Sequence, residues 1–156
     1  KECNRLKNKI GGDSRILQIH EVLPHSINTA LMKCCDCYVS LHRSEGFGLT
    51  LAEAMLLGKP VITTGYSGNM DFTTSATALL VDYELVPVHP GDYPFSHGEM
   101  WAEPNVQQAC DYMLDLVEDS TFAQSLAQKG EEMIRTSFST TTMGDRYKKR
   151  LSNLLR

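Results

Sequence analysis

The sequence lacks any long hydrophobic run. Nowhere do about 18 apolar residues follow one another, so no membrane-spanning helix is expected. It also lacks a surplus of positive charge. Fifteen lysines and arginines face 19 aspartates and glutamates, a net charge of -4, which argues against nucleic acid as the main partner. The opening stretch, KECNRLKNKIGGD, has no secretory signal pattern. Internal repeats and low-complexity tracts are missing as well. Five cysteines are present, Cys3, Cys34, Cys35, Cys37 and Cys110, and Cys34 and Cys37 stand as C-x-x-C. A structural zinc site needs a second ligand pair, and none follows, so reduced thiols are expected rather than metal ligands. An odd count without a secretory signal points to a reducing compartment such as the cytoplasm. The chain has no initiator Met and opens in a polar, helix-like segment, so it is expected to be a piece of something longer.

What is present fits one soluble α/β domain. The 156 residues are 42% hydrophobic and 22% charged, enough to bury a core. Short apolar runs alternate with helical patterns. RILQI (residues 15–19), CYVSL (37–41), PVIT (60–63) and ALLV (78–81) read as strands. Helices are expected over residues 1–10, 26–35 and 49–57, with Ser26 or His25 capping the second after Pro24. A single turn is expected at residues 69–72. This rhythm implies βαβ crossovers and a parallel sheet, and the near-continuous apolar strands suit a sheet covered on both faces. Residues 83–103 break the pattern, with Pro87, Pro90, Pro94, Gly91 and Gly98 among Tyr93, Phe95 and Trp101. They read as one long loop, either an aromatic-pinned surface loop or a functional one. Three helices follow, over about 105–118, 121–136 and 140–155, the last amphipathic through Tyr147, Leu151, Leu154 and Leu155.

The stretch SEGFGLTLAEAMLLGKPVI carries the chemistry. Glu45 and Glu53 stand eight positions apart. The helix between Leu49 and Leu57 reads as apolar all round and therefore buried, with Glu53 its only charge. A buried carboxylate is costly without a partner. Either a base such as Arg43 or Lys59 neutralises Glu53, or it faces a cleft and accepts hydrogen bonds from vicinal hydroxyls of a sugar or ribose. Gly46-Phe47-Gly48 lies between a strand end and a helix start. There the glycines allow backbone to approach a ligand, and free N–H groups attract phosphate. Ligands of open α/β sheets sit beyond the carboxyl ends of the strands, so Glu45, the glycine loop and Glu53 are expected to line one crevice.

At these residues the sequence resembles the retaining glycosyltransferases of the GT-B fold, the large family that includes bacterial mannosyl- and glucosyltransferases. The E-x7-E pattern matches as Glu45 and Glu53 within EGFGLTLAEAM, followed by GKPVI, TGYSGNMDF (64–72) and ALLVDYE (78–84). The likeness runs over about residues 15–155. It implies a Rossmann-like parallel sheet with flanking helices, the C-terminal half of a GT-B fold, spanning residues 1–156 as one donor-binding domain. It implies Glu45 as the catalytic acid that contacts the donor sugar and Glu53 as the ribose-binding acid. Gly46, Phe47, Gly48, Leu49 and Thr50 would contact sugar and phosphate, and residues 20–23, with Glu21 and Val22, would hold the base. His42 and Arg43 sit just before the motif; each either reaches sugar or diphosphate or serves the loop alone. The donor half of the family starts with a strand carrying basic residues, and nothing before Arg15 matches it. That first strand and the N-terminal acceptor domain are therefore expected to lie outside this sequence, and the terminal helix resembles the one that crosses back onto that domain.

The implied partners are a UDP- or GDP-linked sugar, the acceptor domain of the same chain and a glycan or lipid-linked acceptor. No metal or other cofactor is implied, and attachment at the inner membrane face would come from outside this sequence. The alternatives are a GT-B sugar-nucleotide epimerase or hydrolase, and a non-catalytic sugar-nucleotide-binding module.

Overall fold

Val61–Thr64 (β2) is buried at all four positions, as the central strand of a covered sheet must be. In the computed structural model, which describes residues 2–155 and side chains from Arg5 onward, β2 pairs in parallel with Tyr38–Ser40 (β1) on one side and Leu79–Val81 (β3) on the other. Lys1, Arg156 and the Cys3 thiol lie outside the described residues. The register sets Ile62 between Val39 and Leu79. Alternation along β2 sends Val61 and Ile62 to opposite faces. Val61 joins Leu51, Met55, Phe72 and Ile134 in one core cluster. Ile62 joins Val81, Ala109, Leu116 and Leu126 in the other. Each fully buried Leu or Ile contributes roughly 1.5–3 kcal/mol to this two-sided core.

Helices supply both covers. Leu49–Leu56 (α3) packs on the first face and Val106–Glu118 (α4) on the second, while Ser120–Ser137 (α5) reaches both, through Ile134 and Leu126. Gly130 makes the α3–α5 contact close: a Cβ there would lie 3.1 Å from the Thr77 carbonyl and 3.2 Å from the Met55 methyl. The helix starts use side-chain caps where the sequence offers them. Asn105 accepts from the Gln108 N–H, Asp119 from Phe122 and Ser139 from Thr142, which starts Thr140–Leu154 (α6). No residue of α6 is buried, and Tyr147, Leu151 and Leu154 stay exposed.

Four expectations need correcting. RILQI forms no strand: Ile16, Leu17 and Ile19 are exposed, and no ladder pairs them. Apolar, β-prone residues make a strand only against a partner edge and a covering layer, and this segment has neither here. Residues 83–103 are not one loop. Tyr83–Pro87 (β4) and Met100–Pro104 (β5) form an antiparallel ribbon, in register from Tyr83 opposite Pro104 to Pro87 opposite Met100. The two prolines sit at ribbon ends, where a missing N–H is tolerated.

The helix α3 is not buried all round. Leu51, Ala54 and Met55 face the core, while Leu49 and Leu56 are exposed. Finally, the helix His25–Cys34 (α2) starts at Pro24, whose carbonyl accepts from Ile27 and Asn28, without a side-chain cap. Between Glu2–Ile10 (α1) and α2 the chain has no regular element.

Candidate active site at the carboxyl ends of the strands

Three segments leave the carboxyl ends of β1, β2 and β3 and meet. They are residues 41–48, residues 65–68 and the β4–β5 ribbon. The first two touch backbone to backbone. The Glu45 N–H donates to Ser67 Oγ (2.8 Å), and the Glu45 carbonyl accepts from the Gly68 N–H (3.1 Å). A Cβ on Gly68 would lie 2.0 Å from the Gly46 carbonyl oxygen, so only glycine permits this approach. Ser67 itself adopts a positive φ of 72°, uncommon for a residue with a side chain.

A polar network fixes the same corner from below. Asn69, fully buried, donates through Nδ2 to the Thr64 carbonyl (3.0 Å) and to Thr73 Oγ1 (3.1 Å). That orients its Oδ1 toward His42 Nε2 at 3.1 Å, and the Tyr66 carbonyl lies 3.0 Å from the same nitrogen. Two acceptors at Nε2 assign the proton there, which leaves Nδ1 to accept from Ser40 Oγ at 3.4 Å. His42 thus has both ring nitrogens engaged inside the protein. Thr64 Oγ1 donates to the His42 carbonyl (2.7 Å), tying β2 to the same segment.

The glycine loop then turns into α3. Gly48 caps the helix with φ 88° and ψ 51°, the left-handed region, and no side chain caps the first turn. The Phe47 ring is not a free surface group. It packs against Phe72 at 5.0 Å and Phe138 at 5.8 Å, anchoring the loop while its backbone stays at the helix mouth. At about 100° per residue, Leu49, Glu53 and Leu56 share the face opposite the core. Glu53 is half-buried, and its carboxylate has no hydrogen bond or ion pair among the described residues. Neither expected base reaches it. Arg43 pairs with Glu103 and lies over the Trp101 ring at 4.6 Å. Lys59 Nζ donates to the Lys33 carbonyl (2.7 Å).

The acid Glu45 is half-buried and lines, with Arg43, Gly46, Tyr93, Phe95 and Trp101, an open cleft of about 570 Å³ beneath the ribbon tip. The ribbon is tied to the loop by the Ala102 N–H, which donates to the Arg43 carbonyl (2.9 Å). Glu21 and Val22 are exposed and do not line that cleft. Glu21 lines a separate shallow cavity of about 320 Å³ with Ile19, Leu23, Asn28 and Leu31. Thus Glu45, Gly46, Phe47, Gly48, Leu49, Thr50 and Glu53 fall on one continuous loop and helix start, with His42 and Arg43 as its supports.

Ser67, Gly68, Asn69 and the ribbon aromatics were not singled out from the sequence as site residues. The sequence carries the first three within the TGYSGNMDF pattern of residues 64–72, without a site role for any one of them. Among the described residues, no group of three His, Cys, Asp or Glu side chains is placed to hold a metal ion. No helix there is long and apolar enough to cross a membrane.

This fold, a parallel sheet covered on both faces with a glycine loop and an uncapped helix at its carboxyl edge, matches the C-terminal domains of GT-B glycosyltransferases. The chain belongs to the glycosyl transferases group 1 family, whose model matches residues 15–133. Among solved structures, it is similar to Anabaena Alr3699/HepE in complex with UDP and glucose. The identity is 20% and the TM-score 0.73, over 97% of this chain and 36% of that one. It is also similar to the C-terminal domain of the group 1 glycosyl transferase LpcC from Francisella tularensis, at 22% identity and a TM-score of 0.65. That match covers 89% of this chain and 62% of the other. A third likeness is sucrose-phosphate synthase from Thermosynechococcus elongatus, at 20% identity and 0.69, over 97% and 35% of the two chains. The chain therefore spans about a third of the length of the first of these relatives. No match was found among curated proteins.

Proposed function

We propose that this chain is the donor-binding domain of a retaining glycosyltransferase that moves a sugar from a nucleoside diphosphate to an acceptor hydroxyl. The observation that carries the reading is Glu53. It is a half-buried carboxylate beside an uncapped helix start, with both nearby cations committed elsewhere. Such a group has no partner among the described residues, and a carboxylate can accept from two vicinal hydroxyls, as a ribose presents. The first-turn amides of α3 would receive the diphosphate, and Glu45 would contact the sugar. As the acceptor oxygen bonds to the sugar's anomeric carbon, the carbon–oxygen bond to the β-phosphate breaks. The acceptor's proton passes to solvent or to the released diphosphate. Amides fixed at a helix start stabilise the leaving charge without reorganising.

UDP complexes among the structural relatives make UDP the first nucleotide to test, with GDP as the alternative. Glu21 and Val22 would hold the base. The acceptor, a glycan or lipid-linked sugar, and an N-terminal acceptor domain would complete the enzyme, with cytoplasmic work at a membrane face and no metal. Bacterial polysaccharide synthesis is the pathway class this reading favours. In the full protein, Glu53→Ala should weaken UDP or GDP binding by about 1–3 kcal/mol, read by calorimetry. Unchanged nucleotide affinity would remove the ribose role.

A further inference from the structure

The cleft under the ribbon begins where the proposed donor site ends. Glu45 and Gly46 line it, whereas Glu53, Gly48 and the start of α3 do not. Its walls combine aromatic surface with carboxylates. Tyr93 is 66% exposed and Phe95 fully exposed, so neither ring contributes to the core. Phe95 adopts a positive φ of 56°, a conformation that side chains other than Asn, Asp or His rarely take. The ribbon holds it there: the Glu99 N–H donates to the Ser96 carbonyl (3.1 Å) and the Val88 N–H to the Glu99 carbonyl (2.9 Å). Strained backbone clusters at ligand sites, and ligand pockets are lined mainly by hydrophobic and aromatic side chains.

Charge narrows the ligand. Arg43 is the one cation in the cleft lining, and Glu103 and the Trp101 ring already engage it. Glu45 and Glu99 line the cleft with no ion pair among the described residues. A diphosphate would meet two unpaired carboxylates and no free cation, which is repulsive. A neutral polyhydroxylated ring suits it better: its apolar face lies on Tyr93, Phe95 or Trp101, and its hydroxyls donate to the two acids.

We propose that this cleft is the part this domain contributes to the subsite for the sugar ring of the acceptor, whose remainder the N-terminal acceptor domain would supply, with Tyr93 and Phe95 as its platform and Glu99 as its hydroxyl acceptor. The site deepens the transferase reading and rests on it for the identity of the ligand. An acceptor ring seated there adjoins Glu45, the boundary between cleft and donor.

The test uses the full protein with free methyl glucoside, galactoside and mannoside as acceptor probes, with and without UDP. The reporter is the Trp101 indole N–H resonance, assigned by its loss in Trp101→Phe; this chain has one tryptophan. Expected is a Trp101 shift that saturates with at least one free saccharide. The double variant Tyr93→Ala/Phe95→Ala should lose that affinity by about tenfold or more while binding UDP as before. Both rings are exposed, so the variant has little reason to misfold.

Several results would overturn the proposal. Saccharide affinity unchanged in the variant is one, and no saccharide response in any condition is another. A shift with UDP-glucose alone would place the donor's own sugar in the cleft instead. Joint loss of saccharide and UDP binding would mean one site, not two. If the wild type binds no nucleotide, the donor reading fails on that arm, while saccharide binding still decides the cleft.

Discussion

The approach of Gly68 to Glu45–Gly46 can be broken with one methyl group. In Gly68→Ala the new Cβ would lie 2.0 Å from the Gly46 oxygen and 2.5 Å from its carbon, against an ordinary contact of 3.4 Å or more. The obstacle is backbone, not a flexible side-chain end, so the two segments must part by roughly 1.4 Å. Parting on that scale breaks the Gly68 N–H bond to the Glu45 carbonyl and the Glu45 N–H bond to Ser67 Oγ. Two hydrogen bonds are worth about 0.5–1.5 kcal/mol each. Overpacking costs about 1–3 kcal/mol where the loop cannot part fully. Alanine returns about 0.4–1 kcal/mol by restricting the unfolded chain.

The net expectation is a loss of about 2–4 kcal/mol in urea unfolding of the full protein, with nucleotide affinity falling as Gly46 and the loop leading into α3 move. Gly65→Ala is the control. Its Cβ would meet nothing closer than 3.5 Å, and its φ is not positive. If Gly68→Ala matched the wild type in both stability and nucleotide affinity, the steric argument and the coupling of this contact to the site would both fall.

Two further outcomes follow from the same corner and from the core beneath it. Asn69→Ala leaves the Thr64 carbonyl without its amide partner and takes one of the two acceptors from His42 Nε2. It should cost about 2–4 kcal/mol by denaturant titration, and a change below about 1 kcal/mol would mean the network is slack. Burial pushes the Cys37 thiol up to about 11, against the weaker effect of a backbone hydrogen bond from Ile62. With Cys34 and Cys110 exposed, iodoacetamide at pH 8 should modify those two first. Cys37 should lag by about 100-fold, its thiolate fraction being lower by about two powers of ten. Equal labelling by mass spectrometry would contradict its burial.

The sheet, the flanking helices and the acid-bearing loop were legible because each is written locally. PVIT is apolar in an unbroken run, and α3 is bounded by Gly48 and Gly58. Caps at Asn105, Asp119 and Ser139 mark three helix starts. RILQI misled for the opposite reason: strand propensity says what a segment could do beside a partner, and none pairs with it here. The ribbon was hidden by its composition. Three prolines and two glycines between residues 83 and 103 read as loop, yet the pairing residues between Glu84 and Val86 carry none of them. The division of the site followed the same line. Glu45 and Glu53 announced themselves as acids in an apolar stretch, whereas the commitments of Arg43 and Lys59 depend on long-range contacts with Glu103 and Lys33.

Glu45 is held by its main chain on both sides, through Ser67 and Gly68, and among the described residues its carboxylate has no hydrogen bond or ion pair. That separates two jobs that side chains often share. The scaffold sets where the acid sits, and the surrounding residues of the ribbon are free to decide what it meets. On the acceptor proposal, substitutions at Tyr93, Phe95 or Glu99 are expected to change what the cleft binds without moving the acid. If the acceptor proposal holds, one exposed hairpin could be altered to suit another acceptor while the glycine and serine contacts beneath it stay the same.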